Sequence, residues 1–290
     1  MRFTVHDVGH GQCISLIHNN KAMLWDCGSD IWSRPSEFLS DYGVTEIRRL
    51  IITNYDHDHI ADLPDLNKKF KIIAFRRNKL ENSVIRKIKK DSNSHITNAM
   101  EVAFEMNDGY NYNNSIPEFP NVTLKTYHNN YGTGNNEFID TNNLSLVSFL
   151  TVNDTKIIIP GDLEKAGWEA LIKRSDFRNE LKDVDIFVAS HHGRENGFCD
   201  LLFQDFPLRP RLCTPKVFIF SDSNIEFSTQ ESMSLKYGSL IDEPKCVLHK
   251  SSHEAFLIKD FTSYLRSITT GYTNRKVLTT RNDGTFYFNL

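Results

Sequence analysis

Carboxylate and imidazole side chains are concentrated in one short segment of this 290-residue chain, Asn54-Tyr55-Asp56-His57-Asp58-His59. Asp56 and Asp58 are two residues apart in a polar turn, so their carboxylates can point the same way, and His59 can complete a chelate. Ligands of these types suit Zn²⁺, Mn²⁺ or Fe. They also leave a position open for water, whose pKa falls to about 7 on a catalytic metal ion. The segment therefore predicts a hydrolytic metal centre.

Three further segments repeat the same arrangement, in which a β-branched strand runs directly into potential ligands or acid–base groups. The strand predicted over Arg49–Thr53 leads into the first cluster. Open α/β sheets place their sites at the carboxyl ends of strands, where several loops converge, so we expect all these groups to meet. Scattered surface residues would not follow four separate strands. The other three strands lead to Gly161-Asp162, to His191-His192-Gly193 and to Ser221-Asp222.

The segment TNYDHDH resembles the H-x-[H/D]-x-D-H signature of metallo-β-lactamase-fold hydrolases. The resemblance spans nearly the whole chain and is weakest between residues 78 and 143. DVGHGQCISL is similar to the opening strand of the ComEC-type, DNA-internalisation-related branch, and WDCG to the turn that follows it. NNLSLVSFL, IIIPGDLE, VASHHG and TTRNDGTFYF also fall in the order of that branch. This resemblance implies metal-dependent nuclease chemistry.

The resemblance also implies which residues bind the metal. Asp58 and His59 match the D-H pair of the signature, which serves one metal site, and Asp56 matches its second position. Asp162 matches the bridging aspartate. Asn54 stands where the signature begins with His, and an Asn side chain is a weak, neutral ligand. The implied cofactor is therefore one or two divalent ions, Zn or Mn, with Asn54 as the weakest ligand of the set.

Two pairs of residues around these ligands have implied roles as well. His191 matches the histidine ligand that follows the later strand, and the adjacent His192 is either a ligand or the proton donor. Asp7 and Asp26 match acidic positions that lie beneath the metal loop in this fold. We expect these two carboxylates to support the ligands rather than to bind the ion.

The implied fold is α/β, the four-layer αβ/βα sandwich of the metallo-β-lactamase type. We predict a single domain over residues 1–290, because no repeat and no Pro/Ser-rich linker divides the chain. Asn- and Tyr-rich stretches around residues 78–143 favour loops, so we predict a variable insert or lid there, with a disordered surface insert as the alternative. Near the C-terminus, Asp283-Gly284 between two β-rich arms predicts a hairpin.

Basic residues are concentrated between Lys68 and Lys90, where Glu81 is the only acidic residue, although the net charge of the chain is −3. Such a stripe can attract a polyanion such as nucleic acid, and a solvated helix face is the alternative. Arg281 could hold a substrate phosphate, or it could form an ion pair with Asp283. The basic residues predicted to bind substrate are Lys68, Lys69, Arg76, Arg77 and Lys79.

The five cysteines form an odd, scattered set without a C-x-x-C pair. This pattern argues against a disulfide framework and a structural zinc ribbon, and it fits a reducing cytosol. Apolar runs fall short of the roughly 20 residues that cross a bilayer. We therefore expect a cytoplasmic protein without a membrane partner.

Three functions remain open at this stage. The first is a phosphodiesterase acting on DNA or RNA through metal-activated water, in which Asp58, His192 and Arg281 are the catalytic residues. The second is a metallo-hydrolase of a small ester, lactone or phosphocholine-type substrate, since this fold supports many chemistries. The third is a metal-poor binding or regulatory module, which Asn54 keeps open, although carboxylates clustered without a cation would repel one another.

Overall fold

Two facing β-sheets with helices on their outer sides make up the protein, as seen in a computed structural model. The structure describes residues 1–110, 119–205, 210–223, 230–241, 255–259, 267–270 and 275–290. Within these ranges, no helix combines the length and the apolar character that crossing a membrane requires.

The first sheet is built mainly from the N-terminal part of the chain. Its described strands are β1 (Arg2–Val5), β2 (Ile14–His18), β3 (Lys21–Trp25), β4 (Glu46–Ile51), β5 (Lys71–Ile72), β6 (Phe75–Arg76), β14 (Ala255–Lys259), β15 (Ser267–Thr270) and β17 (Phe286–Asn289). Their spatial order is β15-β14-β17-β1-β2-β3-β4-β5, with β6 also beside β4. The pairs from β15 to β3 are antiparallel, whereas β4 runs parallel to β3, β5 and β6.

The second sheet is built mainly from the later part of the chain. Its described strands are β7 (Val122–Tyr127), β10 (Val147–Val152), β11 (Thr155–Ile159), β12 (Ile186–Val188), β13 (Val217–Phe220) and β16 (Val277–Thr279), and their spatial order is β16-β13-β12-β11-β10-β7. Strands β11, β12, β13 and β16 are mutually parallel, so the loops that follow them begin at one edge of the sheet. A separate short pair joins β8 (Asn130–Tyr131) to β9 (Glu137–Phe138).

Helices cover the outer face of each sheet. They are α1 (Pro35–Asp41), α2 (His57–Ile60), α3 (Leu63–Lys69), α4 (Asn82–Asp91), α5 (Asn98–Gly109), α6 (Lys165–Ile172), α7 (Ser175–Glu180), α8 (Gln230–Ser239) and α9 (Thr280–Asp283). Short 3-10 turns at Ser190–Gly193, Glu195–Gly197 and Asp200–Leu202 follow β12.

Three hydrophobic clusters separate four layers, which confirms the predicted two-sheet α/β fold. The alternation of side chains along each strand divides them between clusters. On β3, Trp25 packs between the two sheets, while Leu24 packs towards the helices outside the first sheet. On β12, Val188 packs between the sheets, while Phe187 packs with Trp168 outside the second sheet.

The predicted C-terminal hairpin is wrong, because its two arms belong to different sheets. Strand β16 pairs with β13 in the second sheet, and β17 pairs with β1 and β14 in the first. Between them, the one-turn helix α9 ends at Gly284, whose φ of 66° is one that glycine adopts readily. Phe286 and Phe288 on β17 then join the core between the sheets. Their burial favours the passage of the chain from one sheet to the other, rather than a local hairpin.

The segment predicted as an insert or lid contains regular structure. Helices α4 and α5 both lie within it, and α5 buries Met100, Ala103 and Phe104 against the first sheet's outer core. Strand β7 forms an edge of the second sheet by pairing with β10. The Asn- and Tyr-rich stretch at 111–118 lies outside the described residues, and the role of the segment as a lid stays a prediction.

Candidate metal centre

Four side chains from three segments of the chain converge at the end of the sheets where β4, β11 and β12 end. The Nε2 atom of His59 lies 3.1 Å from Oδ2 of Asp162. The Nε2 atom of His192 lies 3.2 Å from Oδ2 of Asp58 and 3.4 Å from Oδ1 of Asp162. One ligand atom from each residue lies within 4.8 Å of those of the other three. The three contact distances of 3.1, 3.2 and 3.4 Å are close to the distance between two ligand atoms of one tetrahedral ion. That distance is about 3.4 Å when each ligand atom is about 2.1 Å from the ion.

The end of β4 and two neighbouring loops position Asp58 and His59. The backbone carbonyl of Asp58 accepts a hydrogen bond from the amide of Gln12, and the carbonyl of His59 accepts one from Cys27. Gly28 packs against this turn so closely that a Cβ atom there would collide with the Asp58 carbonyl oxygen. Backbone contacts from two loops therefore hold this turn, which explains why a glycine follows the β3 strand.

The second sheet supplies Asp162 through a close contact with the first. Gly161, at φ 60°, packs against the side chain of Thr53, where a Cβ atom would lie 2.6 Å from the threonine Oγ1. The carbonyl of Gly161 accepts from the amide of His191 at 3.0 Å, and the amide of Asp162 donates to the hydroxyl of Ser145 at 3.2 Å. The glycine thus lets the loops after β4, β11 and β12 approach one another.

The two imidazoles of the cluster are oriented by contacts at their Nδ1 atoms, on the side of each ring that faces away from the other ligands. The Nδ1 atom of His59 lies 2.8 Å from the carboxylate of Asp26, which also accepts from the backbone amide of Thr53 at 2.7 Å. The Nδ1–H group of His192 donates to the carbonyl of Ser221 at 2.7 Å. Both Nε2 atoms are buried and face carboxylate oxygens of the cluster at 3.1–3.4 Å, although none of these contacts between described residues has good hydrogen-bond geometry. Imidazoles held through Nδ1 present Nε2 as a metal ligand, so these residues fit a divalent ion such as Zn or Mn.

The charges in the cluster compensate one another. Burial opposes the charged form of Asp58, but the adjacent His59 and His192 lower the pKa of that carboxyl to about 2. Burial likewise opposes charge on the imidazoles, yet Asp162 and the neighbouring carboxylates raise the pKa of both His59 and His192. Protons on the imidazoles thus supply the positive charge that the buried carboxylates need. A divalent ion would supply that charge instead, and its binding would release the protons.

The tandem histidines, between which the sequence left the ligand open, face different neighbours. Both residues adopt left-handed backbone, with φ of 51° for His191 and 54° for His192. Such conformations cost about 1–3 kcal/mol for non-glycine residues and persist where surrounding structure over-determines them. The ring of His192 enters the four-residue cluster, whereas Nδ1 of His191 lies 3.6 Å from Glu164 and its Nε2 accepts from Arg194 at 3.1 Å. Of the two histidines, His192 therefore belongs to the four-residue cluster, while His191 lies beside it, with Nε2 3.9 Å from Asp162.

Asp56 and Asn54, both predicted as ligands, lie outside the four-residue cluster. The Asp56 carboxylate forms an ion pair with Lys89 and accepts from the hydroxyl of Thr141 at 3.1 Å. Asn54 donates its side-chain amide to Asn142 at 3.0 Å. Lys89 lies within the basic stripe seen in the sequence, but neither its pairing with Asp56 nor the contact of Thr141 was predicted, because both residues are distant from Asp56 along the chain.

Arg281 faces a buried carboxylate rather than its predicted partner. Its Nη1 atom lies 3.7 Å from Oδ2 of Asp222, while Asp283 pairs with Arg275. Burial raises the pKa of Asp222 to about 6, although Arg281 and His192 act in the opposite direction. Asp222 follows Ser221, whose carbonyl accepts from His192. Arg281 is therefore linked to the cluster through Asp222 and Ser221.

Asp26 and Asp7, predicted as supports, differ in what they contact. Asp26 is fully buried directly behind His59. The Asp7 carboxylate accepts from the backbone amide of Gly9 at 3.3 Å, and the Asp7 amide donates to Thr285. Asp26 therefore contacts a member of the cluster, whereas these contacts of Asp7 hold the loop after β1.

The predicted substrate-binding stripe is divided between two ends of the first sheet. Lys71 on β5 pairs with Glu46, the first residue of β4, so the exposed Lys68 and Lys69 that precede it lie at the end opposite the metal loop. Lys79 is exposed and follows β6, whose last residue pairs with the last residue of β4, so it lies at the cluster's end.

The two arginines predicted to bind substrate, Arg76 and Arg77, donate hydrogen bonds to other parts of the protein. Arg77 is 0% exposed and donates to the side chain of Asn107 and the carbonyl of Phe75. It therefore has no surface with which to bind substrate, and the prediction for Arg77 is wrong. Arg76 is half-buried and donates to the hydroxyl of Thr126 at 2.7 Å, which ties β6 to β7.

Comparison with known proteins gives a family match and distant structural similarity. The profile of the Metallo-beta-lactamase superfamily matches residues 6–193, more than half of the chain. A comparison with curated proteins finds no match. The metallo-beta-lactamase fold protein YhfI from Bacillus subtilis is 11% identical, with a TM-score of 0.46 over 83% of this chain and 94% of its own. Igni18, a metallo hydrolase from the archaeon Ignicoccus hospitalis, is 11% identical with a TM-score of 0.46 over 100% of both chains.

Proposed function

Because the chain belongs to the metallo-β-lactamase superfamily, we propose that it is a metal-dependent hydrolase that cleaves phosphodiester bonds in DNA or RNA. The observation that carries the proposal is the convergence of Asp58, His59, Asp162 and His192 within 4.8 Å. The two Nε2 atoms and one oxygen of Asp162 are buried, and their contacts of 3.1–3.4 Å within the described part of the chain lack good hydrogen-bond geometry. Buried polar atoms without partners are costly, and a bound cation would satisfy all of them together.

These four residues would hold a single Zn or Mn ion. When bound, such an ion supplies Lewis acidity and a nucleophilic water at neutral pH. Asp26 and the Ser221 carbonyl keep both imidazoles in the tautomer that leaves Nε2 available, and the burial of His59 and Asp162 excludes bulk water from the inner side of the site.

Two arginines beside the cluster favour an anionic substrate over a neutral one. Arg194 donates to the rings of His191 and His10, and the His10 ring lies 5.1 Å from that of His192. Burial and the Arg194 guanidinium lower the pKa of His191, so the ring that accepts from Arg194 is the neutral form near pH 7. Arg281 approaches from the Asp222 side. Guanidinium groups bind phosphate oxygens in a bidentate manner, which suits a phosphodiester.

The resemblance of the sequence to the ComEC-type branch supports a nucleic-acid substrate independently. Exposed Lys79 at the cluster's end of the first sheet is a further cation that a polyanion could contact. Lys68 and Lys69, at the opposite end of β4, add nothing to this part of the proposal.

Hydrolysis of several substrates by metal-reconstituted protein tests the proposal. We expect turnover of single-stranded DNA, duplex DNA, RNA or bis-p-nitrophenyl phosphate, and we expect Asp58→Asn to remove it. His57→Ala is the matched control for His59→Ala, because His57 is exposed and lies in the same turn. Phosphodiesters that stay intact while a lactone or a carboxylic ester is cleaved would exclude the nuclease. A protein that binds no metal and cleaves nothing would instead be the non-catalytic module.

One observation favours a small apolar ester or lactone as a second candidate substrate. Ile31 and Trp32 are 82% and 83% exposed, on a loop whose Asp30 packs against Gly9, next to His10. An exposed aromatic and aliphatic pair near the site could cover the apolar part of a small substrate. If that substrate is the true one, Trp32→Ala should raise its KM and leave the hydrolysis of bis-p-nitrophenyl phosphate unchanged.

A further inference from the structure

The carboxylate of Asp56 contacts donors from the protein itself. The ammonium group of Lys89 contacts its Oδ1 atom, and the hydroxyl of Thr141 lies 3.1 Å from both oxygens. The side-chain amide of Asn54 lies 3.4 Å from Oδ2. The Lys89 ammonium thus already places a positive charge beside the Asp56 carboxylate, and repulsion from that charge disfavours a second cation at the same position.

The neighbouring amides are also committed to the protein. The Asn54 carbonyl oxygen accepts from the backbone amide of Asp56 at 3.3 Å, and its NH₂ group donates to Asn142 at 3.0 Å. The NH₂ group of Asn142 donates to Glu164 at 3.1 Å. This chain of hydrogen bonds joins the positions where a second ion of the superfamily signature would need ligands, and it presents N–H groups there.

Lys89 is the buried lysine of helix α4. Its side chain is 8% exposed, whereas that of Lys87 in the same helix is 61% exposed and pairs with Asp91. The buried face of the helix consists of Ile85, Ile88 and Lys89, so packing of the two isoleucines directs the ammonium inwards. A buried ammonium requires a compensating charge, which Asp56 provides.

We propose that the Lys89 ammonium takes the place of a second metal ion, so that the protein binds one divalent ion, at Asp58, His59, Asp162 and His192. The inference rests on the proposed metal-dependent function and makes it more specific. In this arrangement the fixed charge of Lys89 neutralises Asp56, and among the described residues Lys89 does not contact the four ligands. The consequence is a mononuclear centre whose metal content does not depend on Asp56.

Metal stoichiometry tests the inference without relying on turnover. Apo-protein is saturated with Mn²⁺, freed of excess ion, and its metal content is measured by mass spectrometry and its Mn²⁺ environment by electron paramagnetic resonance. We expect one equivalent with the spectrum of an isolated ion. The double variant Lys89→Met/Asp56→Asn removes both charges of the buried pair together, so neither partner is left uncompensated, and it should also bind one equivalent. Lys87→Met is the matched control on the same helix.

The outcomes separate this inference from the proposed function. Two equivalents in the wild-type protein, or a spectrum of two coupled Mn²⁺ ions, would overturn the single-ion inference and leave the metal-dependent function standing. Loss of the bound ion in the folded double variant would also overturn it, because Asp56 or Lys89 would then be needed for metal binding. Binding of no ion by the wild-type protein would overturn both proposals.

Discussion

The Nδ1 atom of His59 lies 2.8 Å from the carboxylate of Asp26, and both side chains are fully buried. Asp26 is fixed in turn by the backbone amide of Thr53 and by the side-chain amide of Gln12, each at 2.7 Å. Because its acceptor position is fixed, the imidazole can adopt one tautomer and one orientation, with Nε2 towards Asp162. Asp26 and its hydrogen-bond partners, which are not candidate ligands themselves, thus set the orientation of the candidate ligand His59.

Replacement of Asp26 by asparagine should weaken metal binding. The amide carries no negative charge to stabilise the His59 N–H group, and such changes typically reduce metal affinity about 10- to 100-fold. Competition against a chromophoric chelator measures the effect. Asp7→Asn is the matched control, since the Asp7 carboxylate accepts from Gly9, and its affinity should match wild type. Equal affinities in the two variants would mean that Asp26 does not orient the ligand.

The tandem histidines should respond differently to substitution. His192→Ala removes a ligand atom from the cluster, so we expect the bound ion to be lost. His191→Ala removes a ring that faces Glu164 and Arg194, so the ion should be retained while substrate affinity falls. Metal analysis of the two purified variants checks this, and retention of the ion by His192→Ala with its loss from His191→Ala would make His191 the ligand.

Removal of the metal should destabilise the protein. A ligand that binds only the folded state stabilises it by about 2.7 kcal/mol at 100 times its Kd. For a protein of this size we therefore expect a chelator to lower Tm by at least about 5 °C. Differential scanning fluorimetry measures the shift, and readdition of Zn²⁺ or Mn²⁺ should reverse it. Asp58→Asn should show little response to either treatment; a full response in that variant would place the stabilising ion elsewhere.

The buried His6 should make stability depend on pH. Burial, together with the nearby Arg2, lowers the pKa of His6 from 6.5 to about 3 in the folded protein. Between these two values the unfolded chain binds a proton that the folded protein does not. The free energy of unfolding should therefore fall as pH decreases through this range, by at most about 1.4 kcal/mol per pH unit from this residue.

Urea unfolding between pH 7 and pH 4 checks the contribution of His6. In His6→Gln this part of the pH slope should disappear, while His95→Gln, a matched change at an exposed position, should retain it. The side chain of His6 contacts Ser15 at 2.8 Å and stacks on Phe38. Glutamine can keep the hydrogen bond, so comparison of slopes rather than absolute stabilities isolates the titration. An unchanged slope in His6→Gln would contradict the assignment.

Local sequence patterns predicted much of the fold. The β-branched runs located the strands that lead to the cluster, and in the structure these are β4, β11, β12 and β13. The helix α5 escaped prediction because its Asn-rich surroundings favour loops, and its stability comes from burying Met100 and Phe104 against other elements. The prediction of a terminal hairpin was wrong for a related reason. The Asp-Gly turn favours a hairpin only locally, whereas β16 and β17 bury more apolar surface by joining different sheets.

The sequence by itself determined which residues would form the site. Each potential ligand follows directly after a predicted strand, and the carboxyl ends of parallel strands lie at the same end of a sheet. The sequence therefore predicted that Asp58, His59, Asp162 and a histidine of the 191–192 pair would meet. The tertiary structure alone decided which histidine turned inwards, because backbone conformation and the Ser221 carbonyl set the two rings apart. It alone brought Lys89 to Asp56, since a contact between residues 33 apart depends on how a helix packs and leaves no local pattern in the chain.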